Sequence, residues 1–387
     1  MKAIKNFDQN TFLAEFWQQQ PLVVRKGIEN TEQLLTPEEL AGLACESHVE
    51  SRLVTHFDNK WELTHGPLSE QTFLNLPNSD WTVLVQSVDL FIQEVAALLD
   101  YFRFLPNWRI DDVMVSFASK GGTVSAHYDF YDVFLIQGKG SRKWQTGEFC
   151  SPDTALKPDL PMNILADFHP TKEWVLHPGD MLYIPPKLAH YGIALEDCMT
   201  YSVGFRAPSK AEIVDFFATS VMSQVGGDTR YEDTQSTLRA DHHEVNQETL
   251  ESVRQAIIDL ANNNNILLSV MAEIATKSKY SERDCDDVRD WKTRLKSGCV
   301  IVRSPLSRFS YYSGPSPALF ADGSSYTVTL ELAEFICKFD CIDSTNMDSV
   351  LAMEGAENLI SELMDVKCLL VDAPNTALHT ATPEQLI

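Results

Sequence analysis

A histidine followed two residues later by a carboxylate can place both side chains on one metal, because residues i and i+2 of a strand face the same way. Four such pairs occur in the chain: His48/Glu50, His56/Asp58, His127/Asp129 and His242/Glu244. With 55 acidic residues among 387, ten histidines produce one or two of them by chance, so spacing alone selects nothing. A non-haem iron centre asks for more. It needs two imidazoles and one carboxylate on one face of the metal, with the remaining positions open.

Only His127/Asp129 sits in β-rich sequence and has a matching second half. Gly121 precedes His127 across a five-residue spacer, and the segment HPGDMLYIPPKLAHYG (177–192) follows downstream. There Pro178-Gly179-Asp180 turns the chain, MLYIP reads as a strand, Pro185-Pro186 ends it, and KLA swings His190 back over the sheet. Sixty-one residues separate Asp129 from His190, so their meeting is tertiary. The expected metal ligands are therefore His127, Asp129 and His190. His177 precedes a turn and reads as structural, and His242-His243 lies in a charged loop and reads as solvated.

A second requirement comes from the cosubstrate. 2-Oxoglutarate, chelated through its keto oxygen and one carboxylate, leaves a distal carboxylate that calls for a buried cation, best a bidentate guanidinium. The hairpin YDVFLIQ-GKG-SRKWQTG offers Lys139, Arg142 and Lys143. Trp144 shares strand parity with Arg142, which marks that face as inward and turns Lys143 outward. Ser116, in DVMVSFAS, is the expected hydroxyl partner of the same carboxylate. Asp111, Asp112 and Asp132 flank the site as candidate partners for a cationic substrate residue.

The elements that must hold these residues are legible from Trp108 to about Pro208. Eight short β-rich runs broken by Gly, Pro and Asp predict a jelly roll: DVMVSFAS, TVSAHYD, YDVFLIQ, RKWQTG, EWVLH, DMLYIP, YGIAL and MTYSVGFRA. Upstream, SRLVTHF and KWELTHGPL alternate like a hairpin, and QEVAALLDYFRFL carries helical spacing. After Pro208 three helices are expected: KAEIVDFFATSVMSQV, ending at Gly226-Gly227, then ETLESVRQAIIDLA and ILLSVMAEIATK around the asparagine run 262–265. Their apolar faces must bury against something, either a second subunit or the rest of the chain. From about Asp286 a helix, the strands GCVIVRS, RFSYYS, PALFA and YTVTL, and further helices predict a winged-helix-like α+β domain.

Composition bounds the rest. The chain is 44% hydrophobic and 22% charged, with a net charge of −24. That field repels nucleic-acid phosphates and attracts cationic partners. Residues 281–387 hold nine Lys/Arg against seventeen Asp/Glu, so the wing is not expected to bind DNA directly. Eight cysteines form no CxxC pair, and Cys337 and Cys341 read as small apolar residues of a helical stretch rather than a zinc site. No apolar run is long enough for a membrane span and the first twenty residues lack a signal-peptide core, so a cytoplasmic protein is expected. No GxSxG elbow, P-loop or dinucleotide fingerprint is present.

RIDDVMVSFASKGGTVSAHYDFYDVFLIQGKGSRKWQTG, PGDMLYIPPKLAHYG and TYSVGFRAP together resemble the bacterial JmjC-type ribosomal oxygenases, as do ESRLV, KWELTHGPL and WTVLVQSVD upstream. The resemblance covers residues 1 to about 208. Beyond it the order of elements agrees, but the motifs are not distinctive. It implies a mainly β double-stranded β-helix (jelly roll, cupin/JmjC) catalytic domain over 1–208. A helical dimerisation segment over 209–280 and a winged-helix-like domain over 281–387 follow. It further implies Fe(II) on His127, Asp129 and His190, 2-oxoglutarate on Ser116 and Arg142, and 3-hydroxylation of an arginine. The implied substrate is the sixteenth protein of the large ribosomal subunit, a basic partner, and the implied assembly is a homodimer. The rivals are a JmjC-type lysine demethylase, a non-catalytic cupin-like interaction scaffold, and a small-molecule cupin that would have no need of Arg142.

Overall fold

The computed structural model describes residues 2–58, 60–160, 162–233, 243–279 and 290–372. The chain divides into two compact units, Met1–Ala207 and Pro208–Ile387. The first is built on eleven strands: β1 (Leu22–Val24), β2 (Ser51–Phe57), β3 (Lys60–His65), β4 (Trp81–Val85), β5 (Ile110–Ala118), β6 (Val133–Lys139), β7 (Arg142–Phe149), β8 (Lys172–Leu176), β9 (Met181–Ile184), β10 (Leu188–Ala194) and β11 (Cys198–Phe205). They form an eight-stranded antiparallel sheet in the order β1-β9-β6-β11-β5-β4-β2-β3 and a three-stranded sheet β10-β7-β8. This is the two-sheet jelly-roll arrangement expected from the sequence.

Period-two alternation decides what each face of the large sheet meets. On β5, Val113 and Val115 join the hydrophobic core, while Asp112, Met114 and Ser116 face a cavity. On β6, Phe134 and Ile136 go to the core, and Val133 and Leu135 to the cavity. On β11, Tyr201 and Val203 alternate with Thr200 and Ser202 in the same way. The core side is covered by the residues that precede β5, whose Phe12, Leu40, Val95 and Phe102 are fully or almost fully buried. The helix Pro37–Cys45 in that layer begins with a capping box, Thr36 and Glu39 each bonding the other's backbone.

TVSAHYD, expected as a strand, is not one. Ser125 stands at φ +68°, a left-handed conformation that breaks an extended run, and its N–H bonds Thr123 Oγ1 at 3.0 Å. The segment is instead a loop laced to β10 at intervals. Gly121 N–H donates to Ala194 O, Ala194 N–H to Gly122 O, and His127 and His190 form an isolated antiparallel bridge.

Asp132 closes that loop and is completely buried. It accepts from Tyr183 Oη at 2.5 Å, Gln18 Nε2 at 3.0 Å and Arg109 Nη2 at 3.2 Å. Burial pushes its carboxyl up while these donors pull it down. It does not line the cavity, so its expected role as a substrate partner gives way to a structural one.

In the second unit, helices span Lys210–Gln224, Gln247–Ala261 and Asn264–Thr276. The asparagine run does more than turn the chain: Asn262 ends one helix, and Asn263 caps the next through its side chain to Asn265 N. Helix Asn264–Thr276 buries Ile266, Val270 and Ile274, whereas Gln247–Ala261 buries no residue. The helix Trp291–Lys296 follows, then β12 (Val300–Arg303), β13 (Phe309–Tyr312), β14 (Ala318–Ala321) and β15 (Ser324–Thr327). Three further helices and β16 (Leu369–Asp372), which pairs with β12, complete the unit. The last expected strand, YTVTL, lies earlier because Thr329 caps the helix Leu330–Lys338 and takes Leu330 into it. The residues 281–289 and 373–387 of the expected winged-helix-like domain, and His242, lie outside the described residues.

Removing the Asp132 carboxylate leaves Arg109, only 17% exposed, without its ion-pair partner. Asp132→Ala is expected to destabilise the first unit by about 3 kcal/mol, read from urea unfolding. Asp100→Ala, which breaks an exposed pair with Arg103, is expected to change stability by less than about 0.5 kcal/mol.

Candidate metal and cosubstrate site

His127 and His190 exchange both backbone hydrogen bonds, at 3.0 and 2.8 Å, which fixes their Cα atoms as a directly opposed antiparallel pair. Their rings come to 4.2 Å between centroids. Two residues further on, Asp129 O accepts from Lys187 N at 2.6 Å, so its carboxylate returns to the same side. Lys187, at φ +67°, makes the sharp entry into β10 that the Pro185-Pro186 stop anticipates. The three ligand atoms all lie within 4.8 Å of one another, and this is the cluster of metal-ligating residues found among the described residues.

The imidazoles are oriented by the backbone. His127 Nδ1 lies 3.0 Å from Ser125 O and His190 Nδ1 lies 3.0 Å from Leu188 O. A carbonyl only accepts, so each Nδ1 carries the proton and each Nε2 presents its lone pair. His190 is 3% exposed, and burial, with His127 beside it, pulls its pKa down to about 4. It is neutral near pH 7, and its 3.6 Å approach to Asp129 Oδ2 is convergence of two ligands rather than an ion pair. The Tyr131 phenol sits beside Asp129, and partial burial together with that carboxylate holds it above its ordinary range. Two neutral imidazoles and one carboxylate, with oriented second partners, suit a divalent transition metal such as Fe(II).

Arg142 lies at the start of β7 with 3% exposure, and Trp144 is buried on the same face. The guanidinium sits 4.9 Å over the Trp144 ring. Its hydrogen bonds are long, 3.5 Å from Nη1 to Ser116 Oγ and 3.4 Å from Nη2 to Gly192 O, and Nε has no partner. Among the described residues no carboxylate pairs with it. Burial accordingly pulls its pKa down. A desolvated cation with an orphan donor fits an incoming carboxylate. Gly192 makes room for it: a Cβ there would stand 2.7 Å from the Trp144 ring and 2.9 Å from Arg142 Nε. Lys143 points outward as parity requires, 3.8 Å from Glu173.

The cavity that holds these groups measures about 550 Å³. His127, Asp129, His190, Ser116 and Arg142 all line it, as do Asp111 and Asp112. Asp112 accepts from Gln86 Nε2 and Ser87 Oγ, both at 2.7 Å, and Asp111 from Arg206 Nε at 3.2 Å. Sequence reasoning missed Arg52, His65, Gln86 and Tyr131, which also line it. The only available signal was the parity of the β2–β3 hairpin, and that needs a register to be useful. Two of the rival pairs do not line the cavity: His56 stacks on Trp61 at 4.1 Å and His48 packs against Phe91 at 5.6 Å.

The JmjC domain family matches residues 97–213. The ribosomal protein uL16 3-hydroxylase of Escherichia coli strain K12 is 39% identical over 304 residues, covering 76% of this chain and 79% of its own. A probable ribosomal oxygenase of Haemophilus influenzae is 43% identical over 206 residues, covering 53% of this chain and 51% of its own. Among solved structures, YcfD, a ribosomal oxygenase from Escherichia coli in complex with cobalt and 2-oxoglutarate, superposes with a TM-score of 0.83 and 31% identity. That superposition covers 96% of this chain and 99% of YcfD. Fold, cavity and kinship agree, and the chain belongs to the JmjC-type ribosomal oxygenases.

Proposed function

We propose that the protein is an Fe(II)- and 2-oxoglutarate-dependent oxygenase that hydroxylates C3 of an arginine side chain in ribosomal protein uL16. The observation that carries this reading is Arg142, a buried guanidinium without a carboxylate partner in the same cavity as the His127–Asp129–His190 cluster. A scaffold or a small-molecule cupin has no use for such a group, whereas the distal carboxylate of 2-oxoglutarate does. The relative whose name specifies uL16 3-hydroxylation and the relative solved with cobalt and 2-oxoglutarate support the same assignment.

In this reading His127 Nε2, His190 Nε2 and the Asp129 carboxylate hold the iron. Arg142 and Ser116 hold the distal carboxylate of 2-oxoglutarate, with the Trp144 ring against the guanidinium. When bound, iron and 2-oxoglutarate would together supply the oxidising chemistry: dioxygen is the oxidant, one of its oxygen atoms replaces C–H by C–OH and the other enters succinate as 2-oxoglutarate loses carbon dioxide. The protein's part is to orient the target carbon and exclude water. Asp111 and Asp112 favour entry of a cationic side chain, and the net charge of −24 favours encounter with a basic ribosomal protein rather than with nucleic acid.

The same proposal extends to a cytoplasmic homodimer. No described helix is long and apolar enough to cross a membrane. Helix Gln247–Ala261 buries nothing within its unit and leaves Leu250, Val253, Ile257 and Ile258 exposed, a stripe suited to a second copy. Light scattering is expected to give twice the chain mass, and Ile257→Asp to shift it toward monomer. A wild-type monomer at micromolar concentration would refute the dimer.

Incubating uL16 with the enzyme, Fe(II), ascorbate and 2-oxoglutarate is expected to add one oxygen to an arginine, with succinate formed in step. Asp129→Ala is expected to abolish both. Loss of a methylene instead would indicate a demethylase, and an iron-loaded protein that forms no succinate would rule out the oxygenase.

A further inference from the structure

The floor of the cavity continues beyond the strands that carry the metal ligands and Arg142. β4, β2 and β3 extend the large sheet outward from β5, and their inward-facing Leu84, Gln86, Arg52, Val54 and His65 line the same cavity. The register sets His65 opposite Arg52, Arg52 opposite Leu84, and Leu84 opposite Ser116. Arg52 thus shares a cross-strand row with a cosubstrate anchor, and two strand spacings put their backbones roughly 10 Å apart. Its side chain makes only weak contacts, with Gln86 Oε1 at 3.4 Å and Met114 Sδ at 4.0 Å. No carboxylate is ion-paired with it among the described residues.

Hydroxylation at C3 makes a demand on this floor. That carbon is bonded directly to Cα, so the substrate main chain itself must enter the cavity. Its carbonyls then lose water and need donors. Asp111 and Asp112 suit the target guanidinium but cannot donate. Arg52 can, and as a cation it disfavours a basic side chain at its own position.

Resting on the C3 reading above, we propose that Arg52, steadied by Gln86, is a specificity-determining residue that donates to a backbone carbonyl of the substrate polypeptide beside the hydroxylated residue. Two kinds of oxygen could satisfy it, a main-chain carbonyl or an acidic side chain, and the proposal commits to the first.

The test compares KM for uL16 and KM for 2-oxoglutarate in the iron-loaded full-length wild type, Arg52→Gln and Arg52→Lys. Arg52→Gln is expected to raise KM for uL16 about tenfold and leave KM for 2-oxoglutarate within about twofold. Arg52→Lys, which keeps a charged donor, is expected to recover part of the loss. An unchanged KM for uL16, or an equal rise for both substrates, overturns the proposal. So does a uL16 whose acidic residues near the target, changed to amides, reproduce the loss with wild-type enzyme. If the wild type oxidises uL16 at a carbon other than C3, the C3 reading fails and this subsite with it. Oxidation at C3 with Arg52 silent leaves that reading standing and removes only the subsite.

Discussion

His127 and His190 exchange both of their backbone hydrogen bonds, and the candidate metal site is arranged around that exchange. A closed antiparallel pair brings two Cα atoms to about 5.5 Å and leaves their side chains on one face. The carbonyls of Ser125 and Leu188 then set the tautomers, so both Nε2 atoms point away from the backbone. The loop that carries His127 and Asp129 is not a strand, which is why it needs anchoring at several points. Gly121 and Gly122 bond β10 before His127, Lys187 bonds Asp129, and Asp132 ends the loop in a buried network with Tyr183, Gln18 and Arg109. The residue that closes the loop thus reaches into the first twenty residues of the chain, and the N-terminal layer braces the metal ligands from behind.

Arg142 is the complementary constraint. Burying a guanidinium costs on the order of several kcal/mol unless a partner compensates it. In this fold the partial compensation comes from the Trp144 face, the Ser116 hydroxyl and the Gly192 carbonyl. A site that keeps so costly a group half satisfied is preorganised for an anion, and a dicarboxylate that also chelates the metal meets both requirements at once. Gly192 follows from the same geometry, since any side chain there would collide with the stacked pair.

The clustering of His127, Asp129 and His190 was legible in the sequence because two independent spacings coincided on one β-rich region, and the burial of Arg142 because strand parity with Trp144 marks the inward face. Parity held on β7, where Arg142 and Trp144 are buried and Lys143 turns outward. It failed at TVSAHYD, where the left-handed Ser125 interrupts extension and tertiary hydrogen bonds replace a regular ladder. Asp132 was misread for a related reason. Three aspartates near the site look alike in sequence, and only the position of Tyr183 and Arg109 separates a buried structural acid from two that face the cavity. Arg52 and His65 could not be found at all, because their place depends on the register by which β2 joins a sheet whose central strands lie sixty and more residues later.

The triad and Arg142 are arranged to bind a metal and a keto diacid as one unit. The most direct measurement is the visible absorption of the protein loaded with Fe(II) under anaerobic conditions and titrated with 2-oxoglutarate. Chelation of ferrous iron by a keto acid gives a charge-transfer band, which is expected to appear with 2-oxoglutarate, to be absent with succinate, and to require much higher 2-oxoglutarate in Arg142→Met. Iron bound without that band at saturating 2-oxoglutarate would contradict it.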